Sequence, residues 1–317
     1  MSLNIVDIVS EFSNQHTIGL IPSRRQVEWT GGYVNNWKTH VFSDYVRGKN
    51  TSVILERDHA GPYQGYAVDD GLESLRHDAS HFDIIHIDPW KKYPQYFEGL
   101  KSTVDCIKYV NNINPDVCFE IGTEETIRKF SVEDLEAFIR DVKHLLPESL
   151  FEKIKYVVVQ SGVKLDLGKR QNVGDYDSQR LEKMVQVCNQ FNVFSKEHNG
   201  DYLNTTQLKE RFDLGLDAVN IAPEFGQLET FCWLKEFNVE QTEKFYDICY
   251  ASRRWEKWVG ENFIPEENKE ELIKICGHYV FSSSDFCNLK SSLPCTEDIE
   301  QHIKTTIRNK LEQLYEI

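Results

Sequence analysis

Two hydrophobic periods take turns along the chain. Ile5, Val6, Ile8, Val9 and Phe12 recur at helical spacing and predict an opening helix over 4–14. Thr17–Pro22 then reads as a strand, and Trp37, Val41, Phe42, Tyr45 and Val46 as the face of a helix. Ser52–Arg57 is a second strand, followed by a helix near 69–79. In Phe82–Trp90 strict alternation puts Ile84, His86 and Asp88 on one face, with Ile85 and Ile87 on the other. A long amphipathic helix (Tyr96, Leu100, Val104, Ile107, Val110) leads to a strand at Val117–Ile121, and Ser131-Val-Glu-Asp carries a helix-capping signature. Lys155–Gly162 is the clearest buried strand; Leu181, Met184, Val185, Cys188 and Phe191 form a helix face, and Asn192–Ser195 and Asp217–Pro223 are the last strands.

Strands therefore begin near 17, 52, 83, 117, 155, 192 and 218, with a helix between neighbours. That spacing indicates parallel βα units. The expected fold is α/β: a TIM-type (β/α) barrel that, with seven strands counted, is one βα unit short of eight. Beyond about residue 224 the pattern turns helical and rich in Trp, Phe and Tyr, closing on a helix over 296–315. The expected division is a barrel over 1–237 and a helical C-terminal extension over 238–317 packed on it. The aromatic segment Tyr250–Trp258 reads as internal packing first and as a subunit interface second.

In such folds the chemistry sits where strands end. Those ends carry Asp58-His59, His86 with Asp88, Glu120 with Glu124, Gln160, Glu197-His198 with Asp201, and Asn220. Carboxylates are ordinary turn residues, whereas the chain has only ten histidines and three lie here beside acids. His and carboxylate side chains from separate strands suit a borderline divalent ion with one position left open. His86 is placed either in the core or against substrate. Glu120 is placed facing the helices and paired to a lysine, and Glu124, after Gly122, is better placed to reach a site. No phosphate loop, dinucleotide fingerprint, nucleophile elbow or HExxH pair is present.

Composition narrows the partners. Lys and Arg total 36 against 51 Asp and Glu, a net charge of −15, which argues against nucleic acid or an anionic membrane. A phosphorylated small molecule stays open, because a local basic pocket drawn from Arg24, Arg25, Arg57, Lys91 and Lys164 suffices for it. None of the eight cysteines is spaced as CxxC, no run is apolar enough to span a bilayer, and the first residues lack the pattern of a signal peptide. A cytoplasmic protein with reduced core thiols is the expectation.

Seven short motifs, in order, resemble the accessory, non-catalytic subunit family of class II tagatose-bisphosphate aldolases, also named tagatose-6-phosphate kinases. They are Gln26-Val27 with Gly31-Gly32-Tyr33, Asp58-His59-Ala60-Gly61-Pro62, Ile85-His86-Ile87-Asp88, Ile121-Gly122-Thr123-Glu124, Val158-Val159-Gln160-Ser161-Gly162-Val163, His198-Asn199-Gly200-Asp201-Tyr202 and Tyr279-Val280-Phe281-Ser282. The family has an additional strand and helix before its Gly-Gly-Tyr loop. By this resemblance His59, His198 and Glu124 are metal ligands, with zinc the expected ion, and Asp58, Glu124 and Asp88 are catalytic. Gln26, Arg24, His86, Gln160, Asp201 and Asn220 are substrate-binding. The implied function is a metal-dependent sugar-phosphate enzyme, a retro-aldol lyase or an epimerase working through an enediolate. The alternative is a non-catalytic sugar-phosphate-binding subunit that stabilises an aldolase. Partners would be a phosphorylated sugar and either a catalytic class II aldolase subunit or further copies of this chain.

Overall fold

The computed structural model describes residues 1–316. Helix α1 (Leu3–Phe12) is followed by strand β1 (Gly19–Leu20), α2 (Thr39–Lys49), β2 (Ile54–Ala60), α3 (Leu72–Ala79), β3 (Ile84–Ile87) and α4 (Tyr96–Ile113). Next come β4 (Cys118–Ile121), α5 (Val132–Leu145), a single turn α6 (Glu148–Phe151), and β5 (Ile154–Val159). A small antiparallel hairpin, β6 (Lys164–Asp166) with β7 (Gln171–Val173), precedes α7 (Ser178–Gln190), β8 (Phe194–Glu197), α8 (Thr205–Asp213) and β9 (Ala218–Val219). Helices α9 (Pro223–Glu236), α10 (Val239–Ser252), α11 (Lys269–Cys276), α12 (Ser284–Ser291) and α13 (Thr296–Tyr315) end the chain.

Seven strands make one parallel sheet in the order β1-β2-β3-β4-β5-β8-β9, the expected number and connectivity. Among the described residues β1 and β9 do not pair, so the sheet is a curled, open barrel. The curl follows from side chains that meet across it. Lys196 on β8 places its ammonium 2.7 Å from Glu56 on β2 and 2.5 Å from Glu120 on β4, strands that are not its neighbours. Outward positions are apolar and meet the helices: Ile85 and Ile87 of β3, Phe119 and Ile121 of β4, Val157 and Val159 of β5 are all buried in the core. Arg57 also points outward, where its guanidinium binds Asp78 of α3 and the Pro22 carbonyl.

The hairpin β6–β7 is absent from the sequence reading, because three-residue strands give no measurable alternation. It is tied down by Asn172, which donates to the carbonyls of Asn199 and Asp201. The Ser131 cap is a full capping box with Asp134, as the sequence signature indicates. The Gly31-Gly32 loop is tight: Gly31 sits at φ +108°, and a Cβ on Gly32 would overlap the Gln26 carbonyl. Where an eighth strand would close the barrel, α1 and α13 pack on each other and Tyr315 donates to the Thr17 carbonyl. A cavity of about 600 Å³ remains between them and the open edges, bounded by Leu20, Ile54, Tyr156 and Val219 among others. In the C-terminal helices Trp233, Phe237, Phe245 and Phe286 pack edge-on and tilted into a common aromatic core. Trp255 stacks on Tyr250 and Trp258 donates to the Tyr279 hydroxyl; both tryptophans are half-buried, while Tyr250, Glu256 and Lys257 stay exposed. The eight cysteines are unpaired; Cys287 and Cys295 are exposed and the others are at least partly buried. No helix among the described residues is long and apolar enough to cross a membrane.

Among the described residues Lys196 is the only lysine or arginine paired with either of the two buried carboxylates it joins, and removing one partner of a buried ion pair typically costs about 3–5 kcal/mol. Lys196→Met should lower unfolding stability by that order at pH 7, measured by urea denaturation. An unchanged midpoint would contradict the assignment of the triad to the barrel's interior bonding.

Candidate metal centre

Asp58 and His59 are consecutive, so on a regular strand their side chains would point to opposite faces. The structure solves this with an irregularity. Between Arg57 and Ala60 the pairing of β2 with β3 slips, three steps on β2 spanning two on β3, and His59 adopts φ +45°. Bulges of this kind re-aim side chains at sheet ends. Here both Asp58 and His59 turn into the barrel mouth. His86 lies on the inward face of β3, opposite Glu120 in the register, and His198 follows β8 two residues after inward-facing Lys196.

Asp58, His59, His86 and His198 each offer one ligand atom, and all four atoms lie within 4.8 Å of one another. The Asp58 Oδ1 atom is the hub. It stands 3.7 Å from His59 Nε2, 3.8 Å from His86 Nδ1 and 4.0 Å from His198 Nδ1. It is buried and has no hydrogen-bond partner. A buried carboxylate oxygen without a donor is costly unless something cationic meets it.

The other nitrogen of each imidazole is held. His59 Nδ1 is 2.6 Å from Asp88 Oδ2, His198 Nε2 is 2.7 Å from Glu120 Oε1, and His86 Nε2 is 3.2 Å from the Gly122 carbonyl. An acceptor on the far nitrogen fixes ring orientation and tautomer, the usual support around metal-bound histidines. The remaining nitrogens converge on Asp58, with His86 Nδ1 also 3.3 Å from the His59 backbone N–H. In a tetrahedral site with bonds of about 2.0–2.2 Å, ligand atoms lie roughly 3.3–3.6 Å apart. The cluster is wider, its atoms lying within 4.8 Å of one another, so they would draw in on an ion; three nitrogens with one oxygen suit a borderline divalent ion such as zinc.

The charges around it favour a cation. Burial would lower the His59 pKa, but the carboxylates of Asp58, Asp88 and Glu124 outweigh it and hold that pKa well above the ordinary value. Burial would raise Asp58, yet His59, His86 and His198 together pull it below its usual range. Glu124 also lies below its usual range: burial opposes this, and the His59 contact at 3.2 Å and the Asn199 amide bring it about. Deeper in the barrel, burial pushes Glu56 well up, whereas Lys196 and the nearby histidines keep Glu120 ionised despite its burial.

The structure thus brings Asp58, His59, His86, Glu124 and His198 together, and puts Asp88 behind His59, where Thr123 also donates to it. Glu120 faces the barrel, not the helices, because its place in β4 is an inward one opposite His86; it is paired to a lysine as expected, namely Lys196. The other residues named from sequence lie elsewhere. The Arg24 guanidinium is buried and bound by Glu28, Asp69 and the Gly61 carbonyl. Gln160 donates to the Thr123 and Arg128 carbonyls and accepts from Phe130 N–H, so it braces the loop that carries Glu124. Asp201 accepts the Ala222 and Glu224 N–H groups at the start of α9, and its burial raises its pKa to about 7. Gln26 accepts the Ser23 N–H, and both it and Asn220 border the cavity at the open edge. Glu56 and Lys196 escaped the sequence reading. The signal for them was there: period-two alternation puts Glu56 with Asp58, and Lys196 with His198.

No family model matches the chain, and no curated protein matches it in sequence. Its fold does match solved structures. The native fructuronate-tagaturonate epimerase UxaE from Cohnella laeviribosi aligns with a TM-score of 0.64 at 12% identity, covering 98% of this chain and 79% of that one. The YdjI aldolase from Escherichia coli K12 aligns at 0.56 and 11% identity, over 98% and 86%. Fructose-bisphosphate aldolase from Campylobacter jejuni aligns at 0.53 and 13% identity, over 99% and 86%. At these identities the likeness is one of fold: the chain is an α/β, TIM-like protein with the architecture that these aldolases and this epimerase share.

Proposed function

We propose that the chain is a metal-dependent enzyme acting on a phosphorylated ketose, by retro-aldol cleavage or by epimerisation through an enediolate. One observation carries the reading: three imidazoles, each pinned at one nitrogen, turn the other towards an unpartnered Asp58 oxygen. His59 Nε2, His86 Nδ1, His198 Nδ1 and Asp58 Oδ1 would hold the ion. Bound there, it would supply Lewis-acid polarisation of a substrate carbonyl. The shared fold with aldolases and an epimerase supports the same class of chemistry, since both need a proton removed or delivered beside a carbonyl.

The chain's own residues divide the remaining work. Glu124 is the proton carrier. Its side chain is about one-fifth exposed, it is anionic, and Asn199 holds one oxygen while the other faces His59. General acid–base groups must be accessible to substrate and carry the right charge; Glu124 opens to solvent beside the cluster and is in the anionic, proton-accepting form. Asp88 acts through His59, fixing its ring, and Glu120 does the same for His198. In this reading Asp58 binds the ion and His86 is a ligand, where the family resemblance makes one a proton donor and the other a substrate contact.

Elemental analysis and turnover of ketohexose phosphates together test this. The parent should carry about one divalent ion per chain. His86→Ala and Asp58→Asn should each lose it along with turnover. Glu124→Gln should keep the ion and lose roughly 10²–10⁴ in rate, the usual contribution of general acid–base catalysis. A parent that is inert even with zinc added would contradict the enzyme reading and favour a binding subunit.

A further inference from the structure

Four cations border the barrel mouth without an acidic partner. Arg25 lies on the loop after β1, and Lys91 on the loop after β3, so both are at the strands' C-terminal rim. Arg254 and Lys257 come from the C-terminal extension, just after α10. Shared aromatic rings fix three of them relative to one another. Arg25 lies 5.8 Å and Arg254 5.1 Å from the Tyr66 ring centre. Arg254 lies 5.7 Å and Lys257 5.5 Å from that of Tyr279. Arg254 is further packed 4.8 Å over Tyr33, and Lys257 4.4 Å over Trp258.

Among the described residues none of these four makes an ion pair, although acids outnumber bases by 51 to 36. Crowding of like charge without a carboxylate is unfavourable in the absence of an anion. The surroundings of Lys257 reflect it. Desolvation comes first, then the charges of Arg25, Arg254 and Lys91, and together they push its ammonium down to about 8. Glu124, on the metal-centre side, pulls the other way, so the group feels both halves of the mouth. Stacking on tyrosine leaves the planar Arg254 fork pre-oriented, which suits bidentate recognition of a phosphate.

We propose that Arg25, Lys91, Arg254 and Lys257 form the anion-binding side of this site and hold the phosphate group of a sugar whose carbon skeleton reaches the histidine cluster. The proposal rests on reading that cluster as the reaction centre. It gives the helical extension a direct part in recognition, through two residues that neither the motifs nor the strand ends pointed to. A four-cation surround favours a dianion over a carboxylate, so a phosphate ester is selected over a sugar acid.

Calorimetric titration with inorganic phosphate tests this on protein stripped of metal with EDTA, which separates it from the question of turnover. Acetate at equal ionic strength is the carboxylate control. The parent should bind phosphate, and bind acetate at least roughly tenfold more weakly. Arg254→Gln and Lys257→Gln should each weaken phosphate roughly tenfold or more, with Arg254→Lys losing less. If circular dichroism shows Arg254→Gln unfolded, Lys257→Gln decides, since Lys257 is the more exposed of the two. Phosphate binding that is absent without metal, equal in all variants, or matched by acetate would overturn the proposal. A catalytically inert protein that behaves as expected here would leave this site standing and remove only the reaction assigned above it.

Discussion

Glu120 spends both carboxylate oxygens inside the barrel, one on the Lys196 ammonium and one on the His198 ring. A charge with no exposure at all survives there only because those partners replace water. The link has two consequences. Through Lys196 and Glu56 it joins β8 to β2 and β4, giving the interior of an unclosed sheet a polar bond that apolar packing alone would not direct. Through His198 it fixes which imidazole nitrogen faces the barrel mouth. The geometry of the candidate centre is therefore inherited from the bonding that curls the sheet.

The barrel's missing unit has a local cost. With β1 and β9 not paired to each other, each a two-residue strand, the gap is covered by α1 and α13 and not by hydrogen-bonded backbone. The cavity at that edge lies beside Glu56 and Lys196, on the far side of Glu120 from the histidines. None of the four strands that build the centre, β2, β3, β4 and β8, is itself an edge strand of the sheet. Shortening the barrel thus spares the site, provided the buried triad holds the interior together.

The seven-strand series was legible because each strand is an apolar run followed by a helix with its own period. Seven strands start where the pattern places them, and the last helix, Thr296–Tyr315, falls on its expected bounds. The histidines were legible as scarce residues at strand ends. What the sequence hides is direction. Nothing in Asp58-His59 announces the slip that turns both inward, and Arg24 reads as a free cation until Glu28 and Asp69 are seen to occupy it. Gln160 and Asp201 share this fate: strand-end polar residues whose bonds go to backbone. Arg254 and Lys257 lie almost 200 residues from Asp58 in sequence, and only the fold of the extension brings them near the mouth.

The central claim is that three imidazoles and one carboxylate share a cation. X-ray absorption at the edge of whichever metal copurifies, or of zinc added in stoichiometric amount, tests it most directly. Expected in the parent is a four-coordinate shell of nitrogen and oxygen at about 2.0–2.2 Å, with the outer-shell scattering of three histidines, and no such shell in His86→Ala, which does not retain the ion. A shell without imidazole scattering, or one that His86→Ala leaves unchanged, would contradict it.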